Sequence, residues 1–362
     1  MDGAHTISRM LPNEDKLRQI SNDYSKEEKP EDRINIDEAL WDQSTYIGRW
    51  KHMAFISDFR TIFVSEEKLH EAKKICDDYA LGRIGPEDIK KENIIYAKQL
   101  YDSAFHPDNE ELMNFFGRMS FQFPGNAILL MAMMTFYKST AALLGLQVIH
   151  QAFTTIVNCT NRSIRSLESE DFEEGDDATV AEQAFICGAA ASCIAALGLK
   201  KLFFCKGPIF ARLIPLGGLT IGNIVNLTVM RQREIIKGIP VAVIHEEPFM
   251  GSRVAAVKGT TECITTRILT VAPTMIMIPI IADNIQSTCF YYRHPWILFP
   301  IELSICLASL LVMIPSALAL FPWCSSMTPE LWKTICPNEY NEFLEKIQEE
   351  PLPERVYYNK GL

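Results

Sequence analysis

The sequence predicts an all-α, multi-pass α-helical membrane protein with about five transmembrane helices and an N-terminal soluble helical region. Two observations lead to this prediction. Residues 1–120 are densely charged, whereas residues 121–322 contain long apolar runs. One of these runs lies between Arg212 and Arg231 and holds eighteen uncharged residues, about the length that crosses the hydrocarbon core of a bilayer. The contrast between the two parts indicates a membrane domain behind a polar head.

Bulk composition argues against several classes of protein. The net charge of −10 disfavours nucleic-acid binding and provides no polybasic patch for anionic lipid. The 10 cysteines contain no Cys-x-x-Cys pair, so we interpret them as small buried side chains rather than as metal ligands or disulfides. The N-terminus has no apolar signal core and is too acidic for an Arg-rich transit peptide. We therefore expect no cleavable presequence and membrane insertion through internal segments.

The polar parts of the chain flank the membrane domain. Residues 1–34 are charged and poor in bulky apolar side chains, which predicts a disordered tail. Residues 35–120 are predicted to form an amphipathic helical region, with one helix beginning after the N-cap residue Ser65. A further helix is expected near Asn109, because the following residues place an apolar stripe at helical spacing. That stripe consists of Leu112, Phe115, Phe116 and Met119. Residues 323–362 are predicted to be a polar, partly helical tail.

The membrane domain, residues 121–322, contains five predicted spans. They cover about residues 127–149, 180–199, 213–230, 268–285 and 296–321. Lys138 interrupts the first span, and the second is rich in Ala and Gly, which favours close helix packing. The fourth and fifth carry internal prolines, which are tolerated where neighbouring helices or water satisfy the freed carbonyls. The positive charges of the loops leave the orientation of the chain open.

Carboxamides within the spans are the candidate substrate-pathway residues. Gln151, Asn158 and Asn161 lie at the end of the first span, and Asn223 and Asn226 share one face of the third. A carboxamide both donates and accepts hydrogen bonds, so it can bind the ammonium and the carboxylate of a zwitterion. The alternative is that these residues join helices, where such bonds contribute about 0.6 kcal/mol each.

Charged residues in the spans permit two interpretations. Glu302 is a functional candidate as a proton or ammonium partner, because intramembrane carboxylates are costly. Alternatively, it is protonated or paired with Arg293. Arg212 and Arg231 are interpreted as interfacial charges whose side chains extend towards water. We find no phosphate-binding glycine loop, nucleophile elbow or zinc helix in the sequence, so we expect no enzyme, no metal site and no cofactor.

Six motifs along the chain resemble the sideroflexin family. They are WDQSTYIGRWKH (41–52), YDSAFHPD (101–108), GRMSFQFPGN (117–126), TNR (160–162), MRQREIIKGIPV (230–241) and VYYNKGL (356–362). The resemblance runs in order from about residue 35 to residue 362 and places His106, Pro107, Asp108, Arg162 and Arg231 in family motifs. Physical chemistry alone explains the first three as a turn in which Asp108 caps a following helix.

The resemblance implies a multi-pass protein of the mitochondrial inner membrane without a cleavable presequence. It also implies import of serine, and of alanine or cysteine, for mitochondrial one-carbon metabolism, with the bilayer and a small amino acid as partners and no nucleic acid. A second hypothesis is a scaffold for respiratory-complex assembly or iron homeostasis that docks through residues 35–120 and the acidic loop 168–182. Departures from the family pattern, such as Asn109, Cys159 and Glu302, lie at polar ends of spans and leave the substrate open.

Overall fold

The computed structural model describes residues 34–36, 38–85, 88–107, 109–161, 176–203, 207–242, 250–346 and 354–359. In this part of the chain the α-helices are α1 (Tyr46–Ile56), α2 (Glu66–Ala80), α3 (Lys91–Ala104), α4 (Gln122–Phe136), α5 (Thr140–Thr160), α6 (Asp176–Leu202), α7 (Pro208–Met230), α8 (Gln232–Lys237), α9 (Arg253–Gln286), α10 (Cys289–Arg293), α11 (Leu298–Leu318), α12 (Pro329–Ile335) and α13 (Pro337–Lys346). The strands are β1 (Ile239–Ala242), β2 (Met250–Ser252), β3 (Cys324–Met327) and β4 (Val356–Asn359). Several features named in the sequence analysis lie outside the described residues, namely the disordered tail over residues 1–33, Asp108, Arg162 and the acidic residues 168–175.

Among the described residues, five helices are long and apolar enough to cross a membrane, which confirms the predicted helical multi-pass fold and the number of spans. These spans are Thr140–Thr160, Ala178–Leu202, Ile209–Met230, Arg253–Gln286 and Pro295–Leu318. Helix α11 packs on α9 and α4. The largest apolar core forms where α4, α7, α9 and α11 meet, around Leu130, Leu219, Met275 and Leu310.

The first span begins later than the sequence predicts. The predicted segment 127–149 is divided by a turn at residues 137–139 between α4 and α5. Ser139 caps α5, since its Oγ accepts a hydrogen bond of 3.4 Å from the backbone N of Ala142. Helix α4 has only 15 residues, which is short of the roughly 20 that a bilayer requires. The interruption expected at Lys138 is thus a complete break, the predicted bounds of the first span are wrong, and α5 alone is the span.

The fourth span is much longer than predicted. Helix α9 has 34 residues and begins at Arg253, so the predicted segment 268–285 is only its second half. The first half is rich in threonine, and each hydroxyl donates to the carbonyl four residues before it, a bond that satisfies the hydroxyl although it slightly disfavours the helix. These threonines are Thr260, Thr261, Thr265, Thr266 and Thr270. Because the helix begins at Arg253, Arg267 lies within it rather than at its end.

The N-terminal region is helical as predicted, except for the helix expected near Asn109. Helix α2 begins after Ser65, although the Ser65 side chain makes no capping bond. Residues 109–118 form no helix, because Glu110 adopts a φ of 58°, outside the helical range. Leu112 instead forms an isolated β-bridge with Phe105, the residue that follows α3. The predicted helix, and with it the apolar stripe, is wrong.

Helix α1 is attached to the membrane domain by polar contacts. Its side chains bind the carbonyls and the hydroxyl that are exposed where α11 ends. Tyr46 Oη donates to Ser316 O (3.2 Å), Trp50 Nε1 donates to Ser316 Oγ (3.0 Å) and Arg49 Nε donates to Ala319 O (2.9 Å). The N-terminal region is thus docked on the end of α11.

The predicted C-terminal tail is a folded unit in its described residues. Its strands β3 and β4 join β1 and β2 in an antiparallel sheet of four strands, in the order β2-β1-β4-β3. Trp332, Phe343 and Tyr358 are each 0% exposed and form the core of this unit together with the beginning of α9. The sequence analysis considered only the local polarity of this segment and predicted a tail. It missed the folded unit because strands from three distant segments are needed to form the sheet.

Candidate functional site

The spans have two ends that differ in what covers them. We call the end where α5 and α7 finish and α9 begins the module side, because the sheet adjoins it and α1 docks there. We call the opposite end, at the turn of residues 137–139, the turn side. All of the predicted pathway carboxamides lie in the module-side half of their helices.

Glycines on α7 make room for buried glutamines on α5. A Cβ atom added to Gly218 would lie 2.8 Å from Gln147 Nε2, and one added to Gly222 would collide with Gln151 Nε2 and lie 2.6 Å from the Cβ of Ser192 on α6. Both glutamines are 0% exposed. These glycines therefore allow polar side chains of α5, as well as the backbone of a neighbouring helix, to lie close to α7.

Four of the predicted pathway residues form hydrogen-bonded pairs between α5 and α7. Gln151 Nε2 donates to Asn223 Oδ1, and Asn158 Nδ2 donates to Asn226 Oδ1, both at 3.3 Å. Asn226 is fully buried, and its Nδ2 donates to Thr155 Oγ1 at 2.8 Å. A further bond of 3.2 Å from Asn226 Nδ2 reaches a backbone carbonyl of α6. The structure thus brings these carboxamides together.

A cavity of about 60 Å³ lies beside these pairs in the module-side half of the bundle. Four carboxamides line it, namely Gln122, Asn126, Asn161 and Asn223. Other polar side chains in the wall include three threonines, the imidazole of His150 and the guanidinium of Arg267; the threonines are Thr154, Thr266 and Thr270. The volume is large enough for about four water molecules. Of the predicted pathway residues, Asn161 and Asn223 line the cavity, whereas Gln151, Asn158 and Asn226 support its wall.

Arg267 is a cavity-lining residue that the sequence analysis missed. Its Nη2 donates to Asn158 Oδ1 at 3.0 Å, and its half-buried side chain lines the cavity. Within the described residues, no carboxylate forms an ion pair with it. The analysis placed the fourth span after Arg267 and therefore treated it as a flanking charge. The absence of proline between Arg253 and Arg267, which lets a helix continue through this segment, was the available signal.

Glu302 does not reach the cavity. It forms an ion pair of 2.7 Å with Arg212 on the turn side, and the two side chains are 9% and 15% exposed. The predicted pairing with Arg293 is therefore wrong, and the side chain of Arg212 pairs with Glu302 instead of extending towards water. Arg231, at the end of α7, is also buried and pairs with Glu234 at 3.5 Å instead of extending towards water.

The remaining predicted residues organise turns. Asn161 ends α5 and donates from Nδ2 to Gly117 O (2.9 Å) and to Val157 O (2.8 Å), which ties the N-terminal region to this helix. His106 is buried, and its backbone closes a turn with residues 110 and 111, while Pro107 is exposed. The helix that the His106-Pro107 turn was expected to precede does not form.

The N-terminal region also reaches the cavity wall. Trp323 lines the cavity, and the ring of His52 on α1 meets it edge-on with centroids 6.0 Å apart. Burial, together with the positive charge of Lys98, lowers the pKa of His52 to about 4. His52 is therefore neutral at physiological pH.

Metal ligation is the last chemical possibility. Among the described residues, no group of three or more His, Cys, Asp or Glu side chains could hold a metal ion. The cysteines only partly match their predicted burial, because Cys76, Cys263 and Cys306 are buried whereas Cys159 and Cys187 are exposed.

Comparison with known proteins yields one family. A family model described as Sideroflexins matches residues 35–362. Sideroflexin-2 of Drosophila melanogaster is 38% identical over 330 residues, and Sideroflexin-1 of Homo sapiens is 38% identical over 333 residues. Sideroflexin-2 of Homo sapiens is 36% identical over 336 residues. Each match covers 91% of this chain and 98% of the relative. No solved structure matches the chain.

Proposed function

The chain belongs to the sideroflexin family, and we propose that it carries a small neutral amino acid across a membrane, with serine as the favoured substrate and alanine and cysteine as further candidates. The proposal places it in the mitochondrial inner membrane, where it would supply one-carbon metabolism. It needs neither catalysis nor a cofactor, because the substrate leaves unchanged.

One observation supports transport above all others, namely a polar cavity among membrane-spanning helices. Its walls carry four carboxamides together with threonine hydroxyls. Polar groups inside an apolar bundle are unfavourable unless they are hydrogen-bonded, and a carboxamide with two N–H donors and an accepting oxygen can bind a solute in addition to its partners within the protein. Neutral donors and acceptors at such a place suit a small zwitterion, which needs both kinds of partner. The small size of the cavity favours a short side chain such as that of serine.

The proposed path assigns different tasks to the predicted residues. Asn161 and Asn223 contact the solute, because they line the cavity. Gln151 and Asn158 position the groups beside it through their bonds to Asn223 and Arg267. Asn226 packs three helices together. Glu302 has no contact with the solute in this arrangement.

The test is uptake by the purified full-length protein in liposomes, using labelled serine, alanine and cysteine. We expect saturable serine uptake that unlabelled alanine and cysteine inhibit, and none in protein-free liposomes. Correctly inserted, monodisperse protein that moves none of the three would overturn the proposal. If assembly factors of respiratory complexes also co-purify with it, the scaffold hypothesis gains support. Uptake by mitochondria that lack and then regain the protein tests the same claim in place.

A further inference from the structure

The middle of span α9 contains a cation. Arg267 lies between the threonine-rich half of the helix and its apolar half. It lies beside Asn158 in the last turn of α5, nearer to the module-side end of the bundle than to its middle, and a charge buried there still needs a polar or charged partner. Such residues therefore pair with an opposite charge, or they serve the solute that passes.

The other buried arginines near the spans have carboxylate partners. Arg212 pairs with Glu302 at 2.7 Å, and Arg231 pairs with Glu234 at 3.5 Å. Arg267 instead has the neutral Oδ1 of Asn158 as its hydrogen-bond acceptor in the described part of the chain. A guanidinium has five N–H donors, so this one bond leaves most of its capacity available.

The acceptor that binds Arg267 is itself held in place. Asn158 Nδ2 donates to Asn226 Oδ1 at 3.3 Å, which turns Asn158 Oδ1 towards the guanidinium. Asn226 is in turn anchored by Thr155 Oγ1 at 2.8 Å. This chain of bonds fixes the guanidinium before any solute arrives, so a ligand need not order it.

The surroundings of Arg267 favour an anion. Arg231, His150 and the thiol of Cys263 are close enough to interact with it electrostatically, and none of the three is a carboxylate. A planar guanidinium binds a carboxylate through two parallel N–H···O bonds, a geometry that an ammonium or a hydroxyl cannot reproduce.

We infer that Arg267 binds the α-carboxylate of the solute in the cavity, so that the protein selects amino acids over amines that lack a carboxylate. The inference rests on the proposed function and names the group that recognises the substrate class. The neutral carboxamides of the cavity then remain for the ammonium. Asn158 acts through Arg267 and is a positioning residue.

Binding to the full-length protein in nanodiscs, measured by calorimetry, tests this inference. The probes are serine, lactate, which keeps a carboxylate and lacks the ammonium, and serinol, which keeps the ammonium and replaces the carboxylate by a hydroxymethyl group. We expect serine to bind about 100-fold more tightly than serinol, and lactate to compete with serine. Arg267→Gln should weaken serine binding about 100-fold and leave serinol binding unchanged. The serine affinity of Arg267→Lys should lie between those of the wild type and Arg267→Gln, because lysine keeps the charge and loses the paired bonds.

The exposed Arg293 supplies the matched control, since Arg293→Gln removes one positive charge away from the cavity. Wild-type protein that binds serine and serinol equally would overturn the inference, and so would an Arg267→Gln variant with unchanged serine affinity. If Arg267→Gln does not fold, the comparison of the three ligands on the wild type decides. Binding through Arg267 without uptake would overturn transport alone, whereas uptake indifferent to Arg267 would overturn this inference alone. Wild-type protein that binds none of the probes would overturn the inference as well.

Discussion

Arg212 Nη1 lies 2.7 Å from Glu302 Oε1 and joins α7 to α11 on the turn side of the bundle. The guanidinium also lies over the ring of Tyr137, 5.7 Å from its centroid. Tyr137 belongs to the turn that separates α4 from α5. Three segments therefore converge on one neutralised pair at the end of the bundle opposite to the cavity, and the cavity faces the module side.

Removing one partner of this pair should destabilise the protein. Glu302→Gln leaves the buried Arg212 without its carboxylate, and breaking a buried pair in this way reduces the free energy of unfolding by about 3–5 kcal/mol. Reversing both charges, with Arg212→Glu and Glu302→Arg together, should restore most of the loss. Thermal unfolding in detergent measures both variants. Equal stability of the wild type and Glu302→Gln would contradict this role.

The two asparagines of α7 should behave differently when replaced by alanine. Asn223→Ala removes a cavity-lining group, so we expect slower serine uptake with protein abundance near normal. Asn226→Ala removes a fully buried group that bonds to α5 and α6, so we expect abundance to fall first. Quantitative immunoblots of membrane fractions beside initial uptake rates separate the two effects. A collapse of abundance for Asn223→Ala would identify it as a packing residue as well.

Gly222 should not tolerate replacement by alanine, which adds only a methyl group. The Cβ of Gly222→Ala would collide with Gln151 and lie 2.6 Å from the Cβ of Ser192, so we expect a loss of about 1–3 kcal/mol in the free energy of unfolding. Gly198→Ala on α6 is the control, because nothing lies within 4 Å of its added Cβ. That variant should be neutral or more stable by up to about 1 kcal/mol, since alanine favours helix. Similar melting temperatures for the two variants would refute the close fit.

Acid should weaken the attachment of α1 near the cavity wall. His52 titrates at about 4 in the folded protein and near 6.5 when unfolded, so the unfolded chain binds more protons between these values. Stability therefore falls as the pH drops from about 6.5 to about 4, by about 3 kcal/mol over that window. His52→Phe keeps an aromatic ring against Trp323 and should remove this part of the pH dependence. Melting temperatures of both proteins measured from about pH 7.5 down to about pH 4.5, which covers most of the interval between the two pKa values, provide the comparison, and parallel curves would contradict the prediction.

The C-terminal unit should be required for a stable fold. Trp332 is 0% exposed and donates from Nε1 to Glu339 Oε2 at 3.0 Å, so Trp332→Ala should reduce the free energy of unfolding by about 3–5 kcal/mol. Trp296 is 70% exposed on the turn side, and Trp296→Ala is the control for loss of an indole. We expect normal melting for the control alone. A wild-type melting temperature for Trp332→Ala would mean that this unit adds nothing to stability.

How far sequence reasoning reached can be judged from particular segments. Hydropathy predicted all five spans, because a length of apolar chain that crosses a bilayer is a local property. It failed at the ends of spans. The turn at residues 137–139 lies within an apolar run of sequence. Arg267 interrupts the apolar pattern of its segment, although helix α9 continues through it. The Arg212–Glu302 pair and the four-stranded sheet join segments that are far apart in the chain, so no window of sequence contains them.

By itself the sequence determined the membrane class, the family motifs and the residue types from which a polar site could be built. Only the tertiary structure decided how those residues are used. In the folded protein, Asn223 lines the cavity and Asn226 packs between helices. Glu302 pairs with Arg212, and Arg267 lies beside the cavity with a neutral hydrogen-bond acceptor. The physical reason is that burial and pairing depend on which helix faces which. That arrangement follows from the packing of all the spans together and not from the polarity of any one segment.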